Sequence, residues 1–333
     1  MKHLRYTLWR LAQAIPIVLG IVTITFILTD RIPGDPVEIM LAGEDVPPEV
    51  IESVQARYGL DRPVHERYFN YLVGLLEGDL GWSIYYDMPV TDVIVARLPV
   101  TLYLILAAFV FALIISIPLG VLSAKRRNEP VDHGSRVVSL VGVSTPDFWI
   151  GLVLIIIFAF HLGWLPSTGL PLPWQAPADI RGAETQLDVI IESLRHLLLP
   201  MIALGTLQMA QITRIERSSM VESLQKSHVE LMRAYGVSEK KVVRKYAFRP
   251  AQTPIITIIG LGLSTALGGS VLIETVFQID GMGRLIIQAI NANDYELIMG
   301  TTIVYGLVFV VGTIVTDIAY SYIDPRVTYG ESE

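Results

Sequence analysis

The sequence predicts an all-α integral membrane protein with six transmembrane helices, and three observations indicate this. Of its 333 residues, 52% are apolar and only 17% are charged, whereas a soluble domain normally carries about a quarter charged residues. Six uncharged segments have about the length, roughly 20 residues, that crosses the hydrocarbon core of a bilayer. The loops between them alternate between basic and acidic composition.

The uncharged segments are residues 11–29, 98–124, 148–178, 197–213, 250–273 and 297–316. The third has four prolines at its far end, and uncharged residues also precede Asp147 back to Val137. We therefore place the third helix at residues 137–160. The first segment is too long for the apolar region of a signal peptide, and no small-residue cleavage site follows it. It is expected to be a retained helix.

Loop charges predict the orientation. Residues 1–10 carry Lys2, Arg5 and Arg10 without an acid, loop 125–136 has four basic and two acidic residues, and loop 214–249 has nine and four. The intervening loops 30–97, 161–196 and 274–296 are predominantly acidic. By the positive-inside rule, both termini then lie in the cytoplasm. The acidic tail, residues 317–333, departs from the rule, but acidic residues contribute little to orientation.

The sequence lacks the residues that several kinds of chemical site require. The absence of cysteine excludes disulfides and thiolate sites. No phosphate-binding GxxxxGK[ST] loop is present, because the one Lys-Ser pair, Lys226-Ser227, has no glycines before it. The six histidines are dispersed and match no metal-ligand spacing. We expect neither an enzyme nor a bound cofactor or metal, and no nucleic-acid partner, since the net charge of −7 arises in the loops.

The first outer loop, residues 31–97, has helical patterns of its own. Pro48 opens one that ends at Gly59, and a second runs from Val64 to Leu76 with apolar residues at helical spacing. These patterns predict a small helical subdomain on the outer membrane surface. Packing against the membrane helices and contact with a ligand both explain its apolar faces.

The loop at residues 214–249 predicts a helical hairpin. Val221, Leu224, Met232 and Tyr235 recur at helical spacing, and Gly236 can form a left-handed C-cap. Ser238 can then N-cap a second helix that starts at Glu239. Such a hairpin could dock into the groove of a partner protein. It could equally lie in the membrane interface, where anionic lipid would attract its basic residues.

This loop, RSSMVESLQKSHVELMRAYGVSEKKVVRKYAFRP, resembles the EAA motif region of ABC importer permeases of the dipeptide, oligopeptide and nickel branch. Glu230 and Gly236 stand at the motif's Glu and Gly, whereas Leu231 and Met232 replace its two alanines. The resemblance extends along nearly the whole chain through IPGDP, YGLDRPVHERY, GDLGWS, RLPVTLYL, STPDFWIG, LGWLPSTG, HLLLP, GGSVLIETVF, GMGRL and DPR. Asp280 and Asn293 depart from it, since relatives usually have Pro and Arg there.

The resemblance implies a permease subunit in a prokaryotic cell membrane that forms the path for peptides or related solutes such as nickel complexes. Its implied partners are a second homologous permease, two ATP-binding subunits, an external substrate-binding protein and membrane lipid. ATP hydrolysis is expected on the partner chains. The residues implied in coupling to the ATPase are Val221, Leu224, Glu230, Met232, Ala234 and Gly236.

The predicted organisation has four parts. Residues 1–30 form the N-terminal segment and first helix, 31–97 the outer loop, 98–320 a five-helix core, and 321–333 a cytoplasmic tail. A secondary transporter or channel is an alternative function, although such proteins normally show internal repeats or several buried ionisable residues. A membrane-anchored scaffold is another.

Polar residues within the apolar segments are candidates for the translocation path. Asp147 is the charged residue at membrane depth, where a carboxylate is costly unless it faces protein or water. It could line the cavity and attract a cationic group, or it could cap the helix that restarts after Pro146. Gln208, Gln211 and Ser264 could line the path or form hydrogen bonds between helices. Glycines in the fifth segment would allow close helix contact.

Overall fold

The computed structural model describes residues 2–31 and 61–323, which are mostly helical. The predicted helix at residues 48–59 lies outside this part of the chain. The helices and strands are α1 (Lys2–Asp30), α2 (Val64–Glu77), β1 (Trp82–Ser83), β2 (Met88–Pro89), α3 (Val90–Lys125), α4 (Pro130–Ser144), α5 (Asp147–Leu154), α6 (Gln186–Leu224), α7 (Ser227–Ala234), α8 (Glu239–Lys241), α9 (Phe248–Ala251), α10 (Thr253–Val276), α11 (Met282–Asn291) and α12 (Tyr295–Ile323). π-Helical turns extend α5 over Ile155–His161 and α8 over Val242–Ala247.

Within the described residues, three helices are long and apolar enough to cross a membrane alone: the Ala12–Asp30 part of α1, α3, and the Tyr295–Thr316 part of α12. Two more spans result if each of two bent pairs counts as one, namely α4 with α5 and the two halves of α10. The remaining predicted segment, residues 197–213, lies inside α6, a helix of 39 residues with polar ends that packs along α3. The all-α membrane architecture is therefore confirmed.

The third predicted helix is not continuous. Thr145 is extended, with φ −98° and ψ 127°, and the axes of α4 and α5 are bent by 102°. The cause is Pro146, because the ring of a proline disfavours helical backbone at the residue before it. The prediction of one helix across residues 137–160 was wrong. Asp147 consequently occupies the first position of a new helix.

The core is formed where α3, α6 and α10 meet. Its largest fully buried side chains include Leu104 of α3, Leu199 of α6 and Phe277, which follows α10. Gly205 lets α3 and α6 approach closely, since a Cβ at this position would lie 2.9 Å from the carbonyl oxygen of Ala108. Small residues at such contacts are typical of membrane helix pairs, because dispersion contacts between close backbones stabilise them.

Helix α2 packs against the end of α1. Arg67 forms an ion pair with Asp30 at 2.9 Å, and the hydroxyls of Tyr68 and Thr23 are hydrogen-bonded at 2.6 Å. The Arg67 guanidinium also lies 6.0 Å from the ring centre of Phe26. The predicted helical pattern at residues 64–76 is confirmed, and its polar contacts join it to the first membrane helix.

A two-stranded hairpin, β1–β2, is joined to the beginning of α12 by a buried carboxylate. The Ser83 hydroxyl and the Tyr85 backbone N–H donate to Asp294 Oδ2 at 2.6 and 3.1 Å. The Leu297 N–H donates to the other oxygen at 3.1 Å. Asp294 is 1% exposed, so these three donors compensate for much of its lost hydration. The hydrogen bond from the Ser83 hydroxyl gives a structural role to the serine of the GDLGWS string.

Candidate functional site

Residues 214–252, which we name the basic hairpin, continue α6 beyond its apolar segment and return to α10. The turn at its end has Gly236 at φ +73°, with its N–H donating to Arg233 O at 2.9 Å and the Val237 N–H donating to Met232 O at 3.1 Å. This is the left-handed C-cap that the sequence predicts. Ser238 stands at the N-cap of α8, but its side chain makes no capping hydrogen bond.

The first limb of the basic hairpin is not one helix. Helix α6 ends at Leu224, Lys226 takes an extended ψ of 142°, and α7 begins at Ser227. The helical spacing from Val221 to Tyr235 had suggested a continuous helix, and that interpretation was wrong. The break turns the chain so that Val229, in the first turn of α7, is fully buried.

The basic hairpin has its own apolar core. Its buried members within the hairpin are Met220, Val229, Val242, Val243, Ala247 and Ala251. Three of the residues predicted to couple to an ATPase, Val221, Leu224 and Met232, pack against this core and are half-buried. In this structure they hold the two limbs together. Other residues therefore form the exposed surface of the hairpin.

The other three predicted coupling residues, Glu230, Ala234 and Gly236, are exposed around α7 and its turn. With them lie two large side chains that the prediction omitted: Leu231 is 50% exposed and Tyr235 is 75% exposed. We name these five residues the hairpin tip. Leu231 replaces an alanine of the EAA motif, and this replacement was the sequence signal that could have identified it.

An ion pair beside the hairpin tip joins α7 to α8. The Arg233 guanidinium donates two hydrogen bonds to the Glu239 carboxylate, at 2.9 and 3.1 Å. These bonds lower the pKa of Glu239, since they stabilise its charged form. Both side chains are exposed, so the pair contributes little stability by itself. It fixes the spacing between α7 and α8.

A buried ion pair anchors the basic hairpin to α4. Asp132 is 0% exposed and accepts hydrogen bonds from Arg217 through Nε and, at 2.8 Å, through Nη2. The Ser123 hydroxyl and the Asn128 backbone N–H donate to the same carboxylate at 2.7 and 2.9 Å. A carboxylate without hydration needs such donors. The hairpin therefore cannot move without α4 and the end of α3.

A second buried carboxylate joins the two ends of the basic hairpin beside α3. Glu216 is 0% exposed, and the Gln252 amide donates to its two oxygens at 3.0 and 3.1 Å. Gly120 of α3 makes room for it, because a Cβ at this position would lie 2.6 Å from Glu216 Cβ. The Ser223 hydroxyl donates to Ala247 O at 2.7 Å. These contacts hold the two limbs of the hairpin together at its base, against α3.

The candidate path residues lie on α5, α6 and α10. Asp147 is half-buried, and the Phe148 N–H donates to its carboxylate at 2.7 Å, which supports a role at the helix start. The buried Oε1 of Gln208 faces α10, where a Cβ on Gly262 would lie 2.9 Å from it. Gln211 is half-buried. The side chain of Ser264 lies outside the described part of the chain.

Glu274 is a buried carboxylate that the sequence reading assigned to a loop. It is 0% exposed and accepts hydrogen bonds from Thr101, Ser270 and the backbone N–H groups of Gly283 and Arg284, at 2.7 to 3.1 Å. It thereby links α10, α3 and the start of α11. The sequence feature that could have indicated its burial was its position directly after the fifth uncharged segment.

Comparison with known proteins gives a consistent result along the chain. Residues 116–329 match the family model described as binding-protein-dependent transport system inner membrane component, and residues 3–105 match the model of the corresponding N-terminal region. The chain is 37% identical over 325 residues to the oligopeptide transport system permease protein AppB of Bacillus subtilis, covering 97% of this chain and 99% of that protein.

Two further relatives show the same extent of similarity. The dipeptide transport system permease protein DppB of Alkalihalophilus pseudofirmus is 38% identical, with 98% of this chain and all of that protein covered. The probable D,D-dipeptide transport system permease protein DdpB of Escherichia coli is 37% identical, with 99% and 98% covered.

Among solved structures, an inward-facing form of the MetNI methionine ABC transporter matches with a TM-score of 0.53 at 18% identity, covering 70% of this chain and 96% of that one. This similarity shows the fold. The two family models and the end-to-end relatives show more: the chain belongs to the family of inner membrane components of binding-protein-dependent transport systems, and it is a permease subunit of an ABC importer.

Proposed function

We propose that this permease carries peptides, and that it is driven by separate ATP-binding subunits that dock on the hairpin tip. The observation that carries the proposal is the basic hairpin itself. Its tip exposes Leu231 and Tyr235, while the buried carboxylates of Asp132 and Glu216 hold its base to α4 and to the residue that precedes α10. A partner that pulls on the tip would move these helices as one body.

The peptide substrate is inferred from the relatives, which are named as oligopeptide, dipeptide and D,D-dipeptide permeases. The complex would contain a second, homologous permease, two ATP-binding subunits and an external substrate-binding protein. ATP hydrolysis takes place on the partner chains, and this chain supplies the path and transmits movement. Membrane lipid surrounds the assembly.

The charge distribution supports the orientation. The basic hairpin and the basic loop that contains Asp132 lie on the same side, since Asp132 and Arg217 are paired. The positive-inside rule assigns that side to the cytoplasm. Both termini are then cytoplasmic, and the contacts of Asp294 and α2 lie on the outer side.

The docking proposal predicts a loss of ATPase binding when the tip is altered. Leu231→Asp and Glu230→Lys should each reduce co-purification of the ATP-binding subunits about tenfold or more, because a charge of the wrong sign in an interface is costly. Leu187→Asp is the matched control: Leu187 is 64% exposed at the opposite end of α6. Unchanged ATPase binding in both tip variants would contradict the proposal.

Asp147 allows a test of the path. If its carboxylate attracts cationic substrates, Asp147→Asn should reduce transport of cationic peptides several-fold more than transport of neutral ones. If it only stabilises the start of α5, the variant should transport all substrates equally and unfold at a slightly lower temperature. Uptake of a matched pair of cationic and neutral dipeptides into reconstituted vesicles decides between the two roles.

A further inference from the structure

The return limb of the basic hairpin carries a charged surface that is separate from the hairpin tip. Its cations are Lys240, Lys241, Arg244, Lys245 and Arg249, all exposed. We name these five residues the basic face. The side chains between them point the other way: Val242, Val243 and Ala247 are buried in the hairpin core. The orientation of the basic face is therefore fixed by packing.

A π-helical turn brings these cations together. Residues Val242–Ala247 form it, and the i→i+5 bonding of a π-helix widens each turn beyond that of an α-helix. Side chains four and five positions apart then share one direction, as Lys240 does with Arg244 and Lys245. In an ordinary α-helix, five cations at these positions would be spread over about half of the circumference, given 3.6 residues per turn.

The basic face has no internal counter-charge. Among the described residues, none of its five cations forms an ion pair, whereas Arg217 and Arg233 pair with Asp132 and Glu239. The acidic residue at the start of this limb, Glu239, is thus already engaged. Five adjacent positive charges repel one another, so an external anion would stabilise them.

The position of the basic face identifies the anion. Arg249 directly precedes the fifth uncharged segment, residues 250–273. Lys245 lies four residues before Arg249, about 6 Å along a helix, and Lys241 about 12 Å, at 1.5 Å per residue. These distances are comparable with the Debye length of about 8 Å at physiological salt. Juxtamembrane cations at this depth attract anionic headgroups.

We propose that the basic face binds anionic phospholipid headgroups of the adjacent leaflet, with phosphodiester oxygens contacting Arg249, Lys245 and Arg244. The two sides of the hairpin would then have separate partners: the tip contacts a protein and the return limb contacts the membrane. Bound lipid would hold the hairpin at a constant height relative to the bilayer while the tip is pulled.

Binding of phosphatidylglycerol to the purified full-length chain, without ATP-binding subunits, tests this proposal independently of the docking at the tip. Native mass spectrometry gives the affinities for phosphatidylglycerol and for phosphatidylcholine. We expect Lys245→Gln/Arg249→Gln to weaken phosphatidylglycerol binding about tenfold or more and to leave phosphatidylcholine binding unchanged. Raising the salt concentration should reduce the preference of the unaltered chain.

Two controls separate charge from folding and from position. Lys245→Arg/Arg249→Lys keeps both charges and should retain phosphatidylglycerol binding. Arg62→Gln/Arg181→Gln removes two exposed cations outside the basic hairpin and should have no effect. The proposal is overturned if Lys245→Gln/Arg249→Gln binds phosphatidylglycerol as the unaltered chain does. It is overturned equally if that variant keeps its lipid but loses the ATP-binding subunits, since the basic face would then contact protein.

Discussion

Gly236→Val is expected to uncouple ATP hydrolysis from transport. Gly236 has φ +73°, and nothing lies within 4 Å of the position that a Cβ would occupy. The added side chain therefore meets no neighbour, and its whole effect comes from the backbone. A β-branched residue in this left-handed conformation costs of order 1–3 kcal/mol. The turn would relax and change the angle between the tip and α8, so that a movement of the tip would no longer be passed on to the return limb and α10.

The measurement is substrate-stimulated ATP hydrolysis alongside uptake in reconstituted vesicles. We expect uptake to fall at least tenfold while the protein remains in the membrane. Gly182→Val is the matched control, since Gly182 has φ +85° and also has nothing within 4 Å of its Cβ position. The two variants carry similar strain at different sites. If both were equally active, the shape of the turn at Gly236 would not matter for coupling.

Arg217→Ala is expected to cause the largest loss of stability. It leaves the carboxylate of Asp132, which is 0% exposed, without its guanidinium partner. Breaking a buried ion pair on one side costs about 3–5 kcal/mol, because the remaining charge lacks hydration. Arg136, whose Nε lies 3.8 Å from Asp132 Oδ1, is too far away to replace the two hydrogen bonds of Arg217. The hairpin base would separate from α4, and transport should be lost together with stability.

Thermal unfolding of the purified chain measures this effect, and a double variant tests its cause. Asp132→Ala/Arg217→Ala removes both charges and should recover much of the stability that Arg217→Ala loses. As a matched control, Arg195→Ala breaks an exposed pair with Glu192, 3.0 Å long, and should cost less than about 1 kcal/mol. A double variant no more stable than Arg217→Ala would show that packing, and not the unpaired charge, causes the loss.

The amino-acid sequence by itself determined the class of this protein and the position of its main elements. Uncharged segments identified the membrane helices, since hydrocarbon tolerates few charges. The left-handed turn at Gly236 was also predictable, because a helix end followed by glycine is a local signal. The resemblance to importer permeases was visible in short strings spread along the chain, and the family comparison confirmed it.

The tertiary structure alone decided which residues of the basic hairpin are exposed. Val221, Leu224, Met232 and Tyr235 share the helical spacing of a docking face. The first three pack inside the hairpin, whereas Tyr235 is exposed, together with Leu231. Periodicity shows that a helix has an apolar side, but it does not show whether another chain or the same chain covers that side.

The buried carboxylates were the other feature that the sequence did not predict. Glu216, Glu274 and Asp132 looked like loop charges at the ends of apolar segments, and each proved to be fully buried between helices. Their partners are as far as 173 residues away along the chain, as for Thr101 and Glu274. A charge is buried only where folding brings its donors together, and such long-range pairing depends on helix packing that no local pattern records.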